Sequence, residues 1–219
     1  MECLNVTGSS SALRRKLFPL GFAGEVMLLV LETWQKFSLN REVRLEERIT
    51  AVFRDELINA YDAAGRSWFI ALEDPITDPT FGTELGRNDL TFFPQHHHRQ
   101  KIFFTLECKR LHVTTDSGFR HLADKYVKEG LQRFVEGKYS SGLPCGGMLG
   151  YVMDNRTDEA FVRVCSEIKN RRHILKMKNA KMLRSPSSIL PSQPHSADSI
   201  HQRPDGIFAV YHLLVGVVR

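Results

Sequence analysis

Hydrophobic residues recur along the chain with a period that predicts four helices. These segments are 24–37, 43–61, 119–134 and 158–172. The clearest is 43–61, and its apolar stripe consists of Leu45, Ile49, Val52, Phe53, Leu57 and Ala60. Gly137 follows the third segment in the place of a C-cap glycine. Residues 1–12 are mostly small or polar and are predicted to form a frayed terminus.

Shorter apolar runs predict strands between these helices. The runs are 68–72, 90–93, 101–111, 143–154 and 207–218, the last being the closing strand. The second and third form a predicted hairpin around a polar tip at 94–100. Residues 73–86 and 185–206 are rich in turn-forming residues and are predicted to be loops. This order predicts one α/β domain over 1–219, with a central mixed sheet flanked by helices.

Composition narrows the class of protein without naming a function. Of 219 residues, 42% are hydrophobic and 25% are charged, which excludes collagen-like, coiled-coil and wholly disordered chains. Four widely spaced cysteines fit neither a zinc ribbon nor a disulfide framework, so a reducing, cytoplasmic setting is expected. The apolar run Val26–Leu31 is too short to span a bilayer, and no signal-peptide cleavage site follows Arg14–Lys16. No membrane partner is expected.

The strand predicted over 101–111 carries the most informative pattern, because its alternation separates an apolar face from a polar one. The apolar face consists of Ile102, Phe104, Leu106 and Cys108. Glu107 and Lys109 lie on the polar face, with Thr105. On the preceding strand, Asp89 shares a polar face with Thr91. If the hairpin pairs these polar faces, Asp89, Glu107 and Lys109 converge.

Clustered carboxylates beside a lysine are suited to metal-assisted phosphate chemistry. Two carboxylates a few ångströms apart raise each other's pKa unless a cation neutralises them. Mg²⁺ binds one or two such groups together with waters and phosphate oxygens, and a lysine beside it orients or helps to deprotonate the attacking water. The E-x-K pattern alone is not specific, since it also occurs at Glu136/Lys138 and Glu167/Lys169. The alternative interpretation is an ion pair on a half-exposed sheet.

An aspartate followed about 17 residues later by E-x-K on the next strand, with a Glu-bearing helix upstream, resembles the PD-(D/E)XK nuclease superfamily. The resemblance covers about residues 43–154, with Asn88-Asp89 in place of the family's P-D dipeptide. It implies a restriction-endonuclease-like αβββαβ core in which Asp89 and Glu107 bind metal and Lys109 is catalytic. The main-chain carbonyl of Cys108 would lie near the metal, while its thiol faces the core. The implied cofactor is Mg²⁺, with Mn²⁺ as a substitute.

The family often adds a carboxylate from the first helix of this core, and three glutamates are candidates. Glu46 lies at the edge of the apolar stripe, close to Phe53 and Leu57 on the helical wheel. Glu47 lies about 100° further round and is predicted to face water, whereas Glu56 falls inside the stripe. We favour Glu46 as a further metal ligand, with Glu56 as its rival and a solvated glutamate as the remaining interpretation.

A dense basic run at 169–184 indicates where a polyanion would bind. It holds seven Lys/Arg and no acidic residue. Because the net charge of the whole chain is only +5, the residues outside this run are slightly acidic. Because it lacks aromatic residues to stack on bases, it is expected to hold the phosphate backbone without reading sequence. The candidate contacts are Arg171, Arg172, Lys176, Lys178, Lys181 and Arg184, with Lys101, Arg110 and Arg120 as further candidates. The alternative is a solvated helix face.

Three further patterns have plainer interpretations. His96–His98 are interpreted as a polar hairpin tip, because adjacent residues on a turn point in different directions. The glycines within 146–150 lack the context of a phosphate loop and indicate close strand packing. The polar residues Ser199, His201 and Arg203, with His212, either gather near the active face or are loop polarity plus one satisfied strand histidine.

The sequence therefore predicts a Mg²⁺-dependent endonuclease that hydrolyses phosphodiester bonds in nucleic acid, DNA in preference to RNA. The alternative is a non-catalytic nucleic-acid-binding or assembly module that keeps the nuclease fold. Restriction-type enzymes often act as dimers, so a homodimer or larger assembly is also considered, although nothing in the sequence specifies an interface.

Overall fold

The computed structural model describes residues 9–40, 42–65, 68–77, 84–94 and 101–217, and its longer helices follow the apolar stripes of the sequence. The α-helices are α1 (Ser9–Leu17), α2 (Phe22–Lys36), α3 (Glu46–Ala63), α4 (Ala123–Lys125), α5 (Gln132–Val135) and α6 (Thr157–Asn170). A π-helical segment, Tyr126–Leu131, joins α4 to α5, and a 3₁₀ turn lies at Ala180–Met182. In α3 the stripe residues Ile49, Phe53 and Leu57 are buried.

The strands form one large mixed sheet and one small hairpin. They are β1 (Trp68–Thr77), β2 (Glu84–Pro94), β3 (Phe104–Leu111), β4 (Val113–Thr115), β5 (Gly118–Arg120), β6 (Cys145–Val152), β7 (Leu183–Arg184), β8 (Ser196–Arg203) and β9 (Gly206–Gly216). The seven-stranded sheet has the order β1-β2-β3-β6-β9-β8-β7, and β4 pairs with β5 separately. Strand β6 is parallel to both β3 and β9, whereas the other neighbours are antiparallel.

Successive residues of the central strands point to opposite sides of the sheet. Both faces of these strands carry buried apolar side chains, and helices cover both. On one side Leu106, Cys108 and Leu149 belong to a core that also contains the buried residues of α2 and α3. On the other side Met148 and Val152 belong to a core with the π-helical segment and α6. The predicted α/β class with a central mixed sheet and flanking helices is confirmed.

Glycines of β6 allow side chains of neighbouring elements to lie directly against its backbone. A Cβ on Gly146 would lie 2.5 Å from Cε1 of Phe134, and one on Gly147 would lie 2.8 Å from Cδ1 of Leu106. Both separations are shorter than real Cβ contacts, so these positions have no room for a side chain. The interpretation of these glycines as close strand packing is confirmed.

Two helix predictions need correction. Of the predicted frayed terminus 1–12, residues 1–8 lie outside the described residues, and residues 9–12 belong to the helix Ser9–Leu17. Tertiary contacts hold this helix: Arg15 donates to the carbonyl of Ile207 at 2.7 Å and pairs with Asp205 at 3.4 Å. Gly118–Arg120 forms β5, not the first turn of a helix, because Leu122 adopts a left-handed conformation with φ 60° that separates the strand from α4. The predicted C-cap Gly137 is confirmed, with φ 79°.

Two loop predictions are also wrong in part. The stretch 73–86 includes the end of β1 and the start of β2, with 78–83 outside the described residues. The stretch 185–206 contains β8, whose alternate side chains Ser199, His201 and Arg203 are buried. A hydrophobic pattern cannot reveal this strand, because the face it buries is polar.

The length and the composition of the helices decide whether one of them could cross a membrane. Among the described residues, no single helix is long and apolar enough to cross a membrane. Only the segments Ser11–Leu17 and Phe22–Lys36 taken together, bent by 62° where they meet, reach that length and composition.

Candidate functional site

Three residues predicted to converge lie on the adjacent strands β2 and β3. The register pairs Leu90 with Leu106 and Thr91 with Thr105, so like faces of the two strands coincide. Oδ2 of Asp89 accepts a hydrogen bond of 2.7 Å from the backbone N–H of Cys108. This bond fixes the Asp89 carboxylate beside the polar face of β3.

Lys109 stands at the centre of the group. Its ammonium lies 2.9 Å from Oε1 of Glu107 and 4.0 Å from Oδ2 of Asp89. Because those two oxygens lie 2.9 and 4.0 Å from the same nitrogen, they are no more than 6.9 Å apart. The ammonium also donates to the carbonyl oxygen of Cys108 at 2.8 Å. Four predicted residues of the site therefore lie within one hydrogen-bonding cluster.

The first residue of α3 completes this acidic cluster, which we define as Asp89, Glu107, Lys109 and Glu46. Oε1 of Glu46 lies 3.0 Å from the Lys109 ammonium, and Oε2 accepts a 2.7 Å bond from the backbone N–H of Arg110. The rival glutamates Glu47 and Glu56 are exposed. Glu56 lines a separate cavity between α2 and α3, so the geometry singles out Glu46.

Burial makes the charges of the cluster costly. Burial first, and then the Asp89 carboxylate, raise the pKa of Glu107 to about 8, against the opposing effect of Lys109. Burial likewise raises the pKa of Asp89. Burial would lower the pKa of Lys109, but the carboxylates of Glu107, Asp89 and Glu46 outweigh it and raise that pKa, so the side chain is an ammonium.

One carboxylate oxygen in the cluster has no donor. Oε2 of Glu107 is buried, and no N–H or O–H group of the described residues reaches it. The Glu107 side chain is only 2% exposed, whereas Asp89 and Glu46 are 30% and 29% exposed and connect the cluster to solvent. Three carboxylates facing one ammonium leave negative charge in excess. Such a cluster holds an extra proton or an extra cation at neutral pH.

The thiol of Cys108 faces away from this cluster. It is fully buried in the core on the opposite face of the sheet, and burial raises its pKa well above the ordinary value. A neutral buried thiol is a poor nucleophile, so only the main-chain carbonyl of Cys108 belongs to the site. The prediction that the thiol faces the core is confirmed.

Arg133 is a site residue that the sequence reasoning missed. Its guanidinium lies 4.0 Å from Oε1 of Glu107 and donates to the hydroxyl of Tyr139 at 2.6 Å. The preceding turn approaches β3 closely at Gly130, where a Cβ would lie 3.7 Å from Cγ of Glu107. The three-residue spacing of Gly130 and Arg133 places them on one helix face. Nothing in the sequence says which strand that face covers.

The structure does not bring the predicted basic contacts to the acidic cluster. Helix α6 ends at Asn170, so only the first two residues of the run 169–184 are part of it, and the last two form the edge strand β7. The interpretation of the run as a helix face is therefore wrong. Its side chains at Arg172, Lys176, Lys178, Lys181 and Arg184 are exposed, whereas Arg171 pairs with Glu167. Four strand spacings, roughly 19 Å, separate β3 from β7.

The further basic candidates occupy different places. Arg110 follows Lys109 on β3, and its guanidinium donates to the carbonyl of Arg44 beside the N-terminus of α3. Arg120 is exposed on β5, and Lys101 is exposed before β3. Arg110 is thus the predicted backbone contact nearest to the acidic cluster. His96–His98 lie outside the described residues.

A second buried polar group, the histidine chain, consists of Tyr126, His212, Ser199 and His201. The Tyr126 hydroxyl lies 3.0 Å from Nδ1 of His212, and Nε2 of His212 lies 2.7 Å from the Ser199 hydroxyl. That hydroxyl lies 2.7 Å from Nε2 of His201, whose Nδ1 lies 2.7 Å from the carbonyl of Leu175. Because a carbonyl only accepts, the four donors are ordered in one direction, from the tyrosine hydroxyl to Leu175.

The histidine chain is separate from the acidic cluster. All four side chains are buried, and burial lowers the pKa of His201 to about 4 and that of His212 to about 3. Arg203, on the same face of β8, binds Asp205 at 2.8 Å. The register pairs Glu107 with Met148 and Met148 with His212, so the histidine chain lies on the same face of the sheet as Glu107, two strands away. The interpretation of Ser199, His201 and Arg203 as loop polarity is wrong, because they lie on β8. His212 is a strand histidine with both ring nitrogens hydrogen-bonded, as the same interpretation predicted.

Comparisons of the chain with protein-family models, with curated proteins and with solved structures find no significant match. The resemblance to the PD-(D/E)XK nuclease superfamily therefore stays a prediction that rests on the residues themselves.

Proposed function

We propose that the protein is a Mg²⁺-dependent endonuclease that hydrolyses phosphodiester bonds, in DNA in preference to RNA. One observation carries the proposal: the carboxylates of Asp89, Glu107 and Glu46 converge on the Lys109 ammonium, and one buried oxygen of Glu107 has no donor among the described residues. A structural ion pair needs neither the third carboxylate nor the unsatisfied oxygen.

The donor set fits a hard divalent cation. Asp89, Glu107 and the carbonyl of Cys108 offer oxygen ligands, which Mg²⁺ and Mn²⁺ prefer, and Glu46 supplies a further carboxylate at the solvent side. One such ion, at about 2.1 Å from each ligand, joins oxygens that lie no more than about 4.2 Å apart. The oxygens of Asp89 and Glu107 that face Lys109 are at most 6.9 Å apart, so the two side chains have to rotate toward each other to share an ion. When bound, the ion lowers the pKa of a coordinated water and offsets the charge of a phosphate.

The chain's own residues have distinct roles in this proposal. The carboxylates keep Lys109 protonated, so its ammonium acts by donating hydrogen bonds and not as a base. Glu107, Glu46 and the Cys108 carbonyl lie 2.9, 3.0 and 2.8 Å from that ammonium and accept its three protons, so Lys109 donates to a water or a phosphate oxygen by exchanging one of these acceptors. The guanidinium of Arg133, 4.0 Å from Glu107, adds positive charge near the same place.

The order of elements gives independent support to the restriction-endonuclease-like core. Helix α3 is followed by β1, β2 and β3, then by the small β4–β5 hairpin and the helical segment 123–135, and then by β6. Apart from the inserted hairpin, this is the αβββαβ order of the PD-(D/E)XK superfamily, and the candidate acids occupy its second and third strands, as the resemblance requires.

The basic run supports a nucleic acid as the substrate. Its last residue, Arg184, lies on the edge strand β7, which is four strand spacings, roughly 19 Å, from β3; this corresponds to about six base pairs at 3.4 Å per step. In this proposal a duplex held at the acidic cluster extends along the sheet toward the basic run. Such contacts hold phosphates and carry no sequence information.

The test is a cleavage assay on supercoiled plasmid, single-stranded DNA and RNA, with Mg²⁺, Mn²⁺ or EDTA. We expect metal-dependent cleavage by the wild type and a loss of at least about a hundredfold for Lys109→Ala or Asp89→Asn. Lys138→Ala is the matched control, because Glu136-x-Lys138 repeats the motif at a helix end, where the side chains form an exposed ion pair of 2.9 Å. This variant is expected to cleave like the wild type.

Two outcomes would overturn the proposal. Equal cleavage by the wild type and Lys109→Ala would show that the acidic cluster is not the active site. Binding of DNA without cleavage of any substrate would instead support the alternative, a non-catalytic nucleic-acid-binding module.

A further inference from the structure

A second group of metal-binding side chains lies beyond the end of β3, away from the acidic cluster. His112 and His121 flank the β4–β5 hairpin, and the backbone N–H of His112 donates to the carbonyl of His121 at 3.1 Å. Glu159 reaches the same point from the first turn of α6. One ligand atom from each of these three residues lies within 4.8 Å of the other two.

The separations match those of a transition-metal site. Nε2 of His112 lies 3.5 Å from Nδ1 of His121, and that nitrogen lies 3.9 Å from Oε1 of Glu159. Ligands held at about 2.0–2.2 Å from a tetrahedral Zn²⁺ lie roughly 3.4 Å apart. The imidazole pair already has this spacing, and the glutamate oxygen, 3.9 Å from Nδ1 of His121 and no more than 4.8 Å from Nε2 of His112, has to move by about 0.5–1.4 Å.

Asp154 fixes the tautomer that metal binding requires. Its oxygens lie 3.0 and 3.2 Å from Nδ1 of His112 and also accept two hydrogen bonds from Arg156. These bonds keep Asp154 ionised, so Nδ1 of His112 must donate to it, and Nε2 carries the lone pair that faces His121. A carboxylate behind a histidine is the usual outer partner of a zinc-binding imidazole.

Burial and charge shape the rest of the group. The His112 side chain is fully buried, whereas His121 and Glu159 are 37% and 36% exposed, so one side of the group is open to water. Glu159 also pairs with Arg163 at 3.0 Å and with Arg156 at 3.1 Å, so a metal ion competes with both guanidinium groups for this carboxylate.

We propose that His112 Nε2, His121 Nδ1 and Glu159 form a binding site for one transition-metal ion of the Zn²⁺ class, with a water as the fourth ligand. The ion would tie the β4–β5 hairpin to α6. This hairpin borders a cleft that is also lined by Arg44 and Arg110, next to Glu46 of the acidic cluster. The proposal rests on nitrogen ligands and does not depend on the proposed nuclease activity.

The test is a titration of the metal-free, full-length protein with Co²⁺, followed by displacement with Zn²⁺. Tetrahedral Co²⁺ with nitrogen ligands absorbs in the visible range, whereas Co²⁺ on carboxylates and water absorbs only weakly there. We expect one visible-absorbing Co²⁺ per chain, and at least about a tenfold loss of affinity in His121→Ala and in Glu159→Gln. Both side chains are partly exposed, so these variants keep the core intact.

Three control variants make the result specific. His195→Ala removes an imidazole that also pairs with an aspartate, Asp158 at 2.8 Å, and should bind Co²⁺ like the wild type. Asp89→Asn alters the acidic cluster and should leave the visible spectrum unchanged. Arg163→Gln frees Glu159 from one guanidinium and should tighten Co²⁺ binding several-fold.

An absence of visible absorption, unchanged affinity in His121→Ala, or an equal loss in His195→Ala would overturn the proposal.

Discussion

The acidic cluster and the histidine chain are both polar groups buried within the same sheet, yet their hydrogen bonding is opposite in kind. In the histidine chain every side-chain donor has one acceptor, from Tyr126 to the carbonyl of Leu175, and no group is charged. In the acidic cluster three carboxylates compete for the Lys109 ammonium, and an oxygen of Glu107 has no donor among the described residues.

This difference separates a structural polar network from a candidate site. A buried network with all its hydrogen bonds made contributes to stability and to a unique packing. A buried cluster with excess charge of one sign destabilises the fold, and clusters of this kind concentrate at functional sites. Substitutions in the histidine chain should therefore lower the stability of the fold, whereas substitutions in the acidic cluster should change activity and metal binding.

The largest effect on stability is expected for His212→Leu. The leucine leaves the Tyr126 O–H without an acceptor and the Ser199 oxygen without its donor, while Ser199 still donates to His201, so the free energy of unfolding should fall by about 3 kcal/mol. Urea denaturation measures this decrease. Tyr126→Phe removes only the first donor of the chain and should cost about 1 kcal/mol. A decrease of less than about 1 kcal/mol for His212→Leu would show that the histidine chain does not stabilise the fold.

Acid should weaken the histidine chain next. The pKa values of His201 and His212 are lowered to about 4 and about 3, against about 6.5 in the unfolded chain. Their contribution is fully present above pH 6.5 and is lost as the pH falls, because the unfolded chain binds the protons first. The free energy of unfolding should fall by about 2 kcal/mol between pH 6.5 and 5.5. His212→Leu lacks one of the two histidines and should lose about half of this pH dependence.

The opposite pH dependence is expected at the acidic cluster. The pKa of Glu107 is raised from 4.5 to about 8, so its folded form prefers the proton, and its contribution is lost as the pH rises through this window. Glu107→Gln cannot ionise and should gain about 1–2 kcal/mol on the wild type between pH 6 and pH 9. Denaturation at the two pH values measures the gain. A variant as destabilised as His212→Leu would identify the cluster as structural.

Mg²⁺ sharpens the same comparison. It should raise the melting temperature of the wild type more at pH 8.5 than at pH 6.5, because the cation competes with the proton on Glu107. Glu107→Gln should lose this response. Glu167→Gln, in an E-x-K motif on α6, should keep it.

The smallest effect is expected from the basic run. Replacing Lys176, Lys178 and Lys181 by glutamine should weaken DNA binding uniformly across sequences and lower the salt slope by about 0.9 for each phosphate that is no longer neutralised. Lys125→Gln with Lys128→Gln is the control, because both lysines form exposed pairs within one helical turn. An equal weakening in the two sets would show that DNA binding is not localised to the basic run.

The sequence predicted the acidic cluster better than the elements around it. Strand alternation separates Glu107 and Lys109 from Cys108 without any tertiary information, and the helical wheel places Glu46 at the edge of a buried stripe. Strand β8 could not be found in this way, because the face it buries is polar and the partners of Ser199 and His201 lie on β9 and in the segment after α6. Arg133 needs the same long-range information, since only the packing of its helix on β3 brings it to Glu107.

The π-helical segment Tyr126–Leu131 sets the rotation about the helix axis between a residue of the histidine chain and a residue that faces the acidic cluster. Tyr126 begins the segment and belongs to the histidine chain, whereas Arg133, just beyond its end, faces Glu107. A π-helical turn contains one residue more than an α-helical turn, so deleting a single residue here would turn all that follows by about 100°. Tyr126 would keep its partner, while Arg133 would no longer reach Glu107. The extra residue therefore acts as a spacer that lets one helix serve two clusters at once.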